Sequence, residues 1–218
     1  DLLDALGGMG GDFWIRLLYT HPAHWGDDLI AAIARNPKVA RYIDMPLQHI
    51  HPEMLAAMRR ETSRAHIEDL IARLRAGIPG LAIRTTFIVG FPGETDEHFE
   101  SLLEFIRTTR FERLGVFKYS RKDGSRAAKL DSQVPARVKN ARHRRAMAEQ
   151  QRIAMETAAS HTGRTLRVLA DSPRAGRTEA DAPDVDCRVI FSRDVEPGAF
   201  VRARVTGSRV YDLLADPI

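Results

Sequence analysis

Short apolar runs alternate with amphipathic segments between residues 13 and 119 of the chain. Four of the runs are rich in β-branched and aromatic residues, which is typical of buried strands. These predicted strands are Phe13–Tyr19, Tyr42–Met45, Ala82–Val89 and Leu114–Tyr119. An alternation of single strands with helices predicts a parallel sheet with helices packed against it, which is the α/β class.

Helical periodicity fills the intervals between these strands. After Ser63, a typical N-cap residue, apolar side chains recur at i, i+3, i+4 and i+7 on one helical face, and Gly77 predicts the end of that helix. The same spacing follows Thr95. An earlier helix is predicted from Asp27 to Arg35, because Pro37 disfavours its continuation.

The pattern changes after residue 135. Residues 136–160 contain no glycine or proline and predict a long connecting helix. Residues 161–218 contain short β-rich runs separated by glycine, proline and aspartate, which predicts a small closed β-barrel of the OB-like kind. Its predicted strands are Arg164–Ala170, Gly176–Thr178, Arg188–Phe191, Phe200–Thr206 and Val210–Leu214. We therefore divide the chain into residues 1–135, 136–160 and 161–218.

The first residues have the apolar spacing of a helix that is already in progress. Four strand and helix units are too few to close a barrel, and an open sheet of four strands leaves unpaired edges. We expect this chain to be the C-terminal part of a longer protein whose first strands lie upstream. We also expect an exposed apolar edge near residues 13–19 that favours self-association.

The composition is that of an ordinary globular protein, with 44% hydrophobic and 28% charged positions among 218 residues. No run approaches the roughly 18 to 20 apolar residues that span a bilayer, and the first residues lack the basic start of a signal peptide. We expect a cytoplasmic protein without a membrane partner. A single cysteine, Cys187, excludes an internal disulfide and a cysteine-based metal site built by this chain alone.

The formal net charge of +4 and the pI near 9.5 are compatible with a phosphate-rich partner. The densest basic group contains Lys139, Arg142, Arg144 and Arg145, within the predicted connecting helix. A charge run of this length more commonly forms a solvated helix face than a nucleic-acid site, and we favour that interpretation.

The segment Arg84–Thr95 carries the strongest local signal for a ligand. In it a buried strand leads into a glycine-proline-glycine turn that opens a helix. Ligands bind at the carboxyl ends of parallel strands, and Gly90 and Gly93 permit a close approach of the backbone. Any strand-to-helix unit needs a turn of small residues, however, so the segment alone is equally compatible with a structural role.

An ordered set of segments resembles one known family. Trp14–Tyr19, Tyr42–Ile50, Phe87–Thr95 and Val116–Ser120 are similar to segments of the radical S-adenosylmethionine methylthiotransferases. The C-terminal part resembles the TRAM domain of the same family, through the segments Gly176-Arg177, Asp181–Asp186, Gly198–Val201 and Tyr211–Leu213. No single segment is sufficient, but the set in this order is specific.

Two of the segments indicate a branch of that family. Asp44–Ile50 and Phe117–Ser120 resemble the branch that modifies an aspartate of protein twelve of the small ribosomal subunit. The resemblance implies an enzyme that adds a methylthio group to the β-carbon of that aspartate. A transfer RNA adenosine methylthiotransferase and a non-catalytic RNA- or protein-binding module remain as alternatives.

The fold of the family implies a partial six-stranded (β/α) barrel, of which the four strands here would be the last four. The implied cofactors are S-adenosylmethionine and two 4Fe–4S clusters. We expect the cluster cysteines upstream of this chain, because Cys187 alone cannot build a cluster site. The chain by itself is expected to be inactive, and the expected partners of the whole protein are a small-subunit ribosomal protein and an electron donor.

Five residues are nominated for cofactor binding. Arg84 offers a bidentate fork to a carboxylate, although an outer salt bridge to a helix explains it equally well. Gln48 offers a donor and an acceptor to the ribose or amino acid portion, in preference to a structural turn contact. Gly90 and Glu94 belong to the turn that would run beside the adenosine. Phe117 belongs to the backbone segment at the adenine edge, although its ring is more typical of a core.

His49 is interpreted as a residue of the barrel mouth that contacts the substrate, and no residue is nominated as catalytic. A metal site formed by His49 and His51 with His21 and His24 is disfavoured. Alternate residues of an extended segment face opposite sides, and a whole strand and helix unit separates the two pairs.

The predicted C-terminal barrel is a recognition module by resemblance, and such modules often bind RNA. Residues 160–218 contain nine arginines, no lysine and nine acidic residues, so we expect no net positive field. Balanced charge fits docking on a basic ribosomal protein at least as well as RNA contact. Phe191, Phe200 and Tyr211 follow strand patterns and are interpreted as core residues rather than stacking platforms.

Overall fold

The structure is a computed structural model that describes residues 2–218. Its N-terminal region is a succession of strands and helices: α1 (Leu2–Gly7), β1 (Ile15–Leu17), α2 (Asp27–Arg35), β2 (Val39–Asp44), α3 (Pro52–Ala57), α4 (Arg64–Gly77), β3 (Ala82–Val89), α5 (Asp96–Thr109) and β4 (Arg113–Lys118). The strands form one parallel sheet in the order β1-β2-β3-β4, so the predicted α/β class is confirmed.

Ser63 is an N-cap as predicted, and Thr95, which precedes the next predicted helix, is one as well. Ser63 accepts a hydrogen bond from the backbone N–H of His66, and Thr95 accepts one from the backbone N–H of His98. The helix α4 ends at Gly77 as predicted, and Ile78 is its C-cap. The short helix α3 was not predicted, since six residues are too few to display a helical period.

The two faces of the sheet have different roles. In β3 the side chains of Ile83, Thr85, Phe87 and Val89 are buried, whereas Arg84 and its alternate neighbours Thr86 and Ile88 are only half-buried. The Phe87 ring packs edge-on against Phe105 of α5 and against Phe111. The helices therefore cover the first face, and we call the opposite one the open face of the sheet.

The connecting helix α6 (Ala136–Ala159) leads to five strands: β5 (Thr165–Ser172), β6 (Ala175–Thr178), β7 (Val189–Phe191), β8 (Phe200–Arg209) and β9 (Asp212–Pro217). They close into a barrel, as predicted, and their order in it is β5-β6-β7-β9-β8. Only the β7 and β9 pair is parallel. The core of the barrel includes Phe191. Tyr211 is 40% exposed, so the interpretation of Tyr211 as a core residue was wrong.

The C-terminal barrel packs against the amino-terminal half of the open face. Ala182, between β6 and β7, forms a small apolar cluster with Ala40, Tyr42 and Ala82 of the sheet. Trp14 packs edge-on against Phe200 of the barrel, with ring centroids 4.8 Å apart. The carboxyl ends of the strands lie beyond this contact. Among the described residues, no helix is both long enough and apolar enough to cross a membrane.

Candidate functional site at the carboxyl ends of the strands

A cavity of about 850 Å³ lies where β3 and β4 end and the chain leaves β2. Its lining comes from both sides of the sheet end, namely Gln48, residues 57–60, Ile88, Phe91, residues 117–120, Lys122 and residues 125–127. Its volume lies within the range of about 300 to 1,000 Å³ that small-molecule sites occupy. Two of the nominated residues, Gln48 and Phe117, line this cavity together.

Gln48 extends the sheet beyond the end of β2. Its backbone N–H donates to the Thr86 carbonyl oxygen at 2.8 Å, and its own carbonyl oxygen accepts from the Ile88 N–H at 2.9 Å. Gln48 has a φ of 73°, an unusual conformation for a residue with a side chain. Its side-chain Oε1 is buried without a hydrogen-bond partner in residues 2–218. A buried acceptor in that state is suited to a ligand donor.

Two other polar atoms of the cavity lining share this property. Arg60 Nε and Tyr119 Oη are buried, and neither has a hydrogen-bond partner in the part of the chain that the structure describes. Sequence reasoning missed both residues, because nothing in the local pattern distinguishes an unpaired polar atom from a paired one. Together with Gln48 they give the cavity both donors and acceptors.

The turn after β3 depends on a buried carboxylate. Gly90 has a φ of 72°, and its N–H donates to Glu94 Oε2. The same oxygen accepts from Arg142 Nη1 at 2.7 Å, and Oε1 lies 3.3 Å from His49 Nε2. The Glu94 side chain is fully buried. Gly90 and Glu94 thus shape the wall of the site from behind, and the Glu94 carboxylate does not face the cavity.

His49 is fully buried, so the expectation that its side chain lines the barrel mouth is wrong. Its Nδ1 accepts a hydrogen bond from the His51 backbone N–H at 3.0 Å, which leaves the ring proton on Nε2 to face Glu94. Burial lowers the pKa of His49, although the Glu94 carboxylate opposes this shift. The neutral His49 ring therefore stabilises the backbone that follows β2 through its contacts with His51 and Glu94.

Phe117 is 60% exposed, which corrects the interpretation of its ring as core. It lies near the end of β4, an edge strand of the sheet. Tyr119, two residues later, packs edge-on against Phe91 at 5.3 Å. The cavity therefore has an aromatic wall with one exposed ring.

Arg84 does not share this cavity. It lines a second cavity between the sheet and the C-terminal barrel, where its Nη1 donates to Asp44 Oδ1 at 2.9 Å. Its Nε lies 3.5 Å from Asp186 Oδ1 of the barrel. The carboxylate partners thus lie on the neighbouring strand and on the barrel, not on a helix as the salt-bridge interpretation expected.

Acidic residues of the C-terminal barrel face the sheet. Asp181 forms a buried ion pair with Arg113, and the Tyr42 hydroxyl donates to Asp186 Oδ2 at 2.6 Å. Burial and this hydrogen bond raise the pKa of Tyr42. By contrast, Arg202 and Arg204 of β8 are exposed. The barrel also exposes Asp171, Asp194, Glu196 and Asp216, so its carboxylates are divided between the interface and the outer surface.

Cys187 lies half-buried at the same interface, and burial raises its pKa to about 11. Residues 2–218 contain no group of three or more His, Cys, Asp or Glu side chains placed to hold a metal ion. The His21 and His24 rings lie 5.3 Å apart, and the His51 ring stacks on His98 instead.

Arg142 also departs from the sequence interpretation. It is buried and paired with Glu94, whereas Arg144 and Arg145 of the same helix are exposed. The basic run is thus a solvated face with one buried exception. A signal was available, since Arg142 lies four residues before the buried Ala146, on the same side of the helix.

Comparison with known proteins agrees with this architecture. Residues 4–106 match the model of the Radical SAM superfamily, and residues 162–218 match that of the TRAM domain. The coproporphyrinogen III oxidase HemN of Escherichia coli, a radical SAM enzyme, aligns with a TM-score of 0.51 over 66% of this chain and 32% of its own. At 19% identity this likeness concerns the fold alone.

Curated relatives are much more similar in sequence. The ribosomal protein uS12 methylthiotransferase RimO of Opitutus terrae is 60% identical over 99% of this chain and 46% of its own length. The protein of the same name from Akkermansia muciniphila is 50% identical over 99% of this chain and 48% of its own. The chain spans about half the length of these relatives. With its four-stranded parallel sheet and its TRAM barrel, the chain belongs to the radical S-adenosylmethionine methylthiotransferase family.

Proposed function

We propose that the protein containing this chain transfers a methylthio group to the β-carbon of an aspartate in protein twelve of the small ribosomal subunit. The observation that carries the proposal is 60% identity, over nearly the whole chain, to a relative named as a uS12 methylthiotransferase. The resemblance of Asp44–Ile50 and Phe117–Ser120 to the same branch supports it. An action on a ribosomal protein implies a cytoplasmic location.

The residues of the cavity suit S-adenosylmethionine. Gln48 and Tyr119 present polar atoms that lack protein partners within residues 2–218, and Phe117 presents an exposed ring that can stack on a base. Gly90 allows the backbone to turn closely along the cavity wall. When bound, the cofactor supplies the carbon-centred radical that abstracts hydrogen from the substrate. We propose two 4Fe–4S clusters for the whole protein, with cysteine ligands outside this chain.

This chain's own contribution is to position the cofactor and to exclude solvent. Gln48 holds a polar group of the cofactor, and the apolar wall of Ile88, Phe91 and Phe117 keeps water from the radical. We propose that Arg84 supports cofactor binding indirectly and does not contact the cofactor. Its pairing with Asp44 and Asp186 positions the strand and the barrel relative to each other.

The alternative with specific support is RNA contact through the TRAM barrel. The match of residues 162–218 to the TRAM domain supports it, and the barrel exposes arginines such as Arg202 and Arg204 beside carboxylates such as Asp216. The exposed guanidinium groups can contact phosphates. A transfer RNA substrate would use the same chemistry on an adenosine.

The test is a product assay with the complete protein, reconstituted anaerobically with iron and sulfide. It is incubated with S-adenosylmethionine, reductant and either the ribosomal protein or transfer RNA. We expect a methylthio mass gain on the protein, and a gain on RNA alone would assign the other branch. Gln48→Ala should weaken S-adenosylmethionine binding about tenfold, as expected for one lost hydrogen bond to a charged ligand. Gln151→Ala, at an exposed position of α6, is the matched control.

A further inference from the structure

The cavity at the strand ends is strongly asymmetric in charge. Five of the residues that line it are cationic, and none is acidic. The five are Arg59, Arg60, Lys118, Lys122 and Arg126. The chain as a whole has 33 basic and 29 acidic residues, so a lining with cations alone is not the average surface. The cavity therefore carries a positive potential.

These cations also lack the carboxylate partners that half of the arginines have in the described residues. Within residues 2–218, none of the five forms an ion pair. Their side-chain contacts are neutral: Arg126 Nη2 donates to the Ala57 carbonyl oxygen and Arg60 Nη2 to the Pro46 carbonyl oxygen, each at 2.9 Å. Arg59 and Lys122 are exposed at the rim. Their charge is thus available to an external anion.

The backbone at Arg59 is set by the end of α3. Arg59 has a φ of 56°, in the left-handed region that glycine adopts far more readily than arginine. Its N–H donates to the Ala56 carbonyl oxygen and the Arg60 N–H to the Leu55 carbonyl oxygen, which is the Schellman pattern of a helix C-terminus. Glycine is the residue that this position prefers, so Arg59→Gly removes the charge without disturbing the backbone.

We propose that Arg59, Lys122 and Arg126 form a ring of cations that receives the acidic side chain of a polypeptide substrate. This proposal rests on the proposed function and names the feature of the substrate that is recognised. A carboxylate is an anion that guanidinium groups bind in bidentate geometry. The cations converge on one cavity with apolar walls. An RNA strand would instead require a basic track along the surface, since each successive phosphate needs its own neutralising contact.

The cofactor also has a carboxylate, and the experiment distinguishes the two sources. The complete protein is titrated with S-adenosylmethionine alone, and separately with a fluorescent peptide carrying the target aspartate or asparagine in its place. Arg59→Gly and Lys122→Gln should each weaken binding of the aspartate peptide about tenfold. The affinity for S-adenosylmethionine and for the asparagine peptide should stay unchanged. Lys129→Gln, an exposed lysine outside the cavity, is the control.

Arg59→Gly separates recognition from folding, because it should keep or raise stability while it weakens the peptide complex. A loss of S-adenosylmethionine affinity in the rim variants would assign the cations to the cofactor and overturn the proposal. Unchanged peptide affinity, or loss of transfer RNA binding alone, would also overturn it. Arg59-dependent peptide binding without any methylthio product would support the ring of cations while refuting the proposed function. A methylthio product that forms equally well in the variants would support the proposed function and refute the role of the three cations.

Discussion

The buried ion pair between Arg142 and Glu94 should be a principal support of the site wall. Arg142→Met removes the guanidinium group but retains most of the aliphatic volume. The carboxylate would then stay buried with only the Gly90 N–H and His49 as partners. Both side chains are almost inaccessible, at 7% and 0% exposure, so water cannot replace the lost contact.

The expected loss in the free energy of unfolding is about 3 to 5 kcal/mol, the usual cost of removing one partner from a buried pair. Arg145→Met is the matched control. Arg145 lies on the same helix and also near the Phe99 ring, but its pair with Glu100 is half-exposed on both sides. Exposed pairs contribute about 0 to 1 kcal/mol.

The assay is equilibrium urea unfolding followed by the fluorescence of Trp14 and Trp25, which both lie in the sheet region. The double variant Glu94→Gln with Arg142→Met should recover a large part of the loss, because no buried charge stays uncompensated. Equal losses for Arg142→Met and Arg145→Met would refute the reasoning, as would a double variant that is no more stable than Arg142→Met.

Three further predictions concern the same region and the barrel interface. The pKa of His49 is lowered on folding, so its contribution is present above the unfolded value of 6.5 and is lost as the pH falls below it. Below pH 6.5 the free energy of unfolding should decline by up to about 1.4 kcal/mol per pH unit. In urea titrations His49→Gln should flatten this decline, whereas the control His24→Gln, at an exposed position, should not. Gly90→Ala should lower the stability measured by thermal melting more than Gly124→Ala does. Both glycines have a positive φ, which costs alanine about 1 to 2 kcal/mol, but only the methyl group at position 90 would collide with a neighbouring side chain. Equal costs would contradict this. The Cys187 thiol should react about a hundredfold more slowly with iodoacetamide at pH 8 in the folded chain than in urea, by mass spectrometry, because its pKa rises to about 11 from 9.0; equal rates would refute the burial argument.

Local pattern was sufficient for most elements of this protein, although not for the six-residue helix α3. The β3 strand extends from Ala82 to Val89 as its apolar run predicted, and Ser63 and Thr95 cap the helices that follow them. Both signals depend on neighbouring residues only, because burial on one face imposes a period and a helix start needs an acceptor for its free amides. The order of strands and helices then implied the parallel sheet.

The site was predictable only in part. Gln48 and Phe117 meet in one cavity because both lie at carboxyl ends of parallel strands, which is a property of topology. Arg84 was nominated on the same grounds, but it lies near the start of its strand, where the C-terminal barrel covers the sheet. His49 and Glu94 are buried by the turn that they stabilise, although polar residues beside a strand end resemble ligands in a sequence.

The sequence by itself determined the strands, the longer helices, the closed barrel and the family, since each depends on local period or on an ordered set of segments. The tertiary structure alone decided which charges are paired. Arg142 is neutralised across 48 residues by Glu94, and Arg113 across 68 residues by Asp181. Arg59, Lys122 and Arg126 line a cavity and have no ion-pair partner within residues 2–218. A charge has the same local pattern in each case, and only the packing of distant segments sets its partner and its exposure.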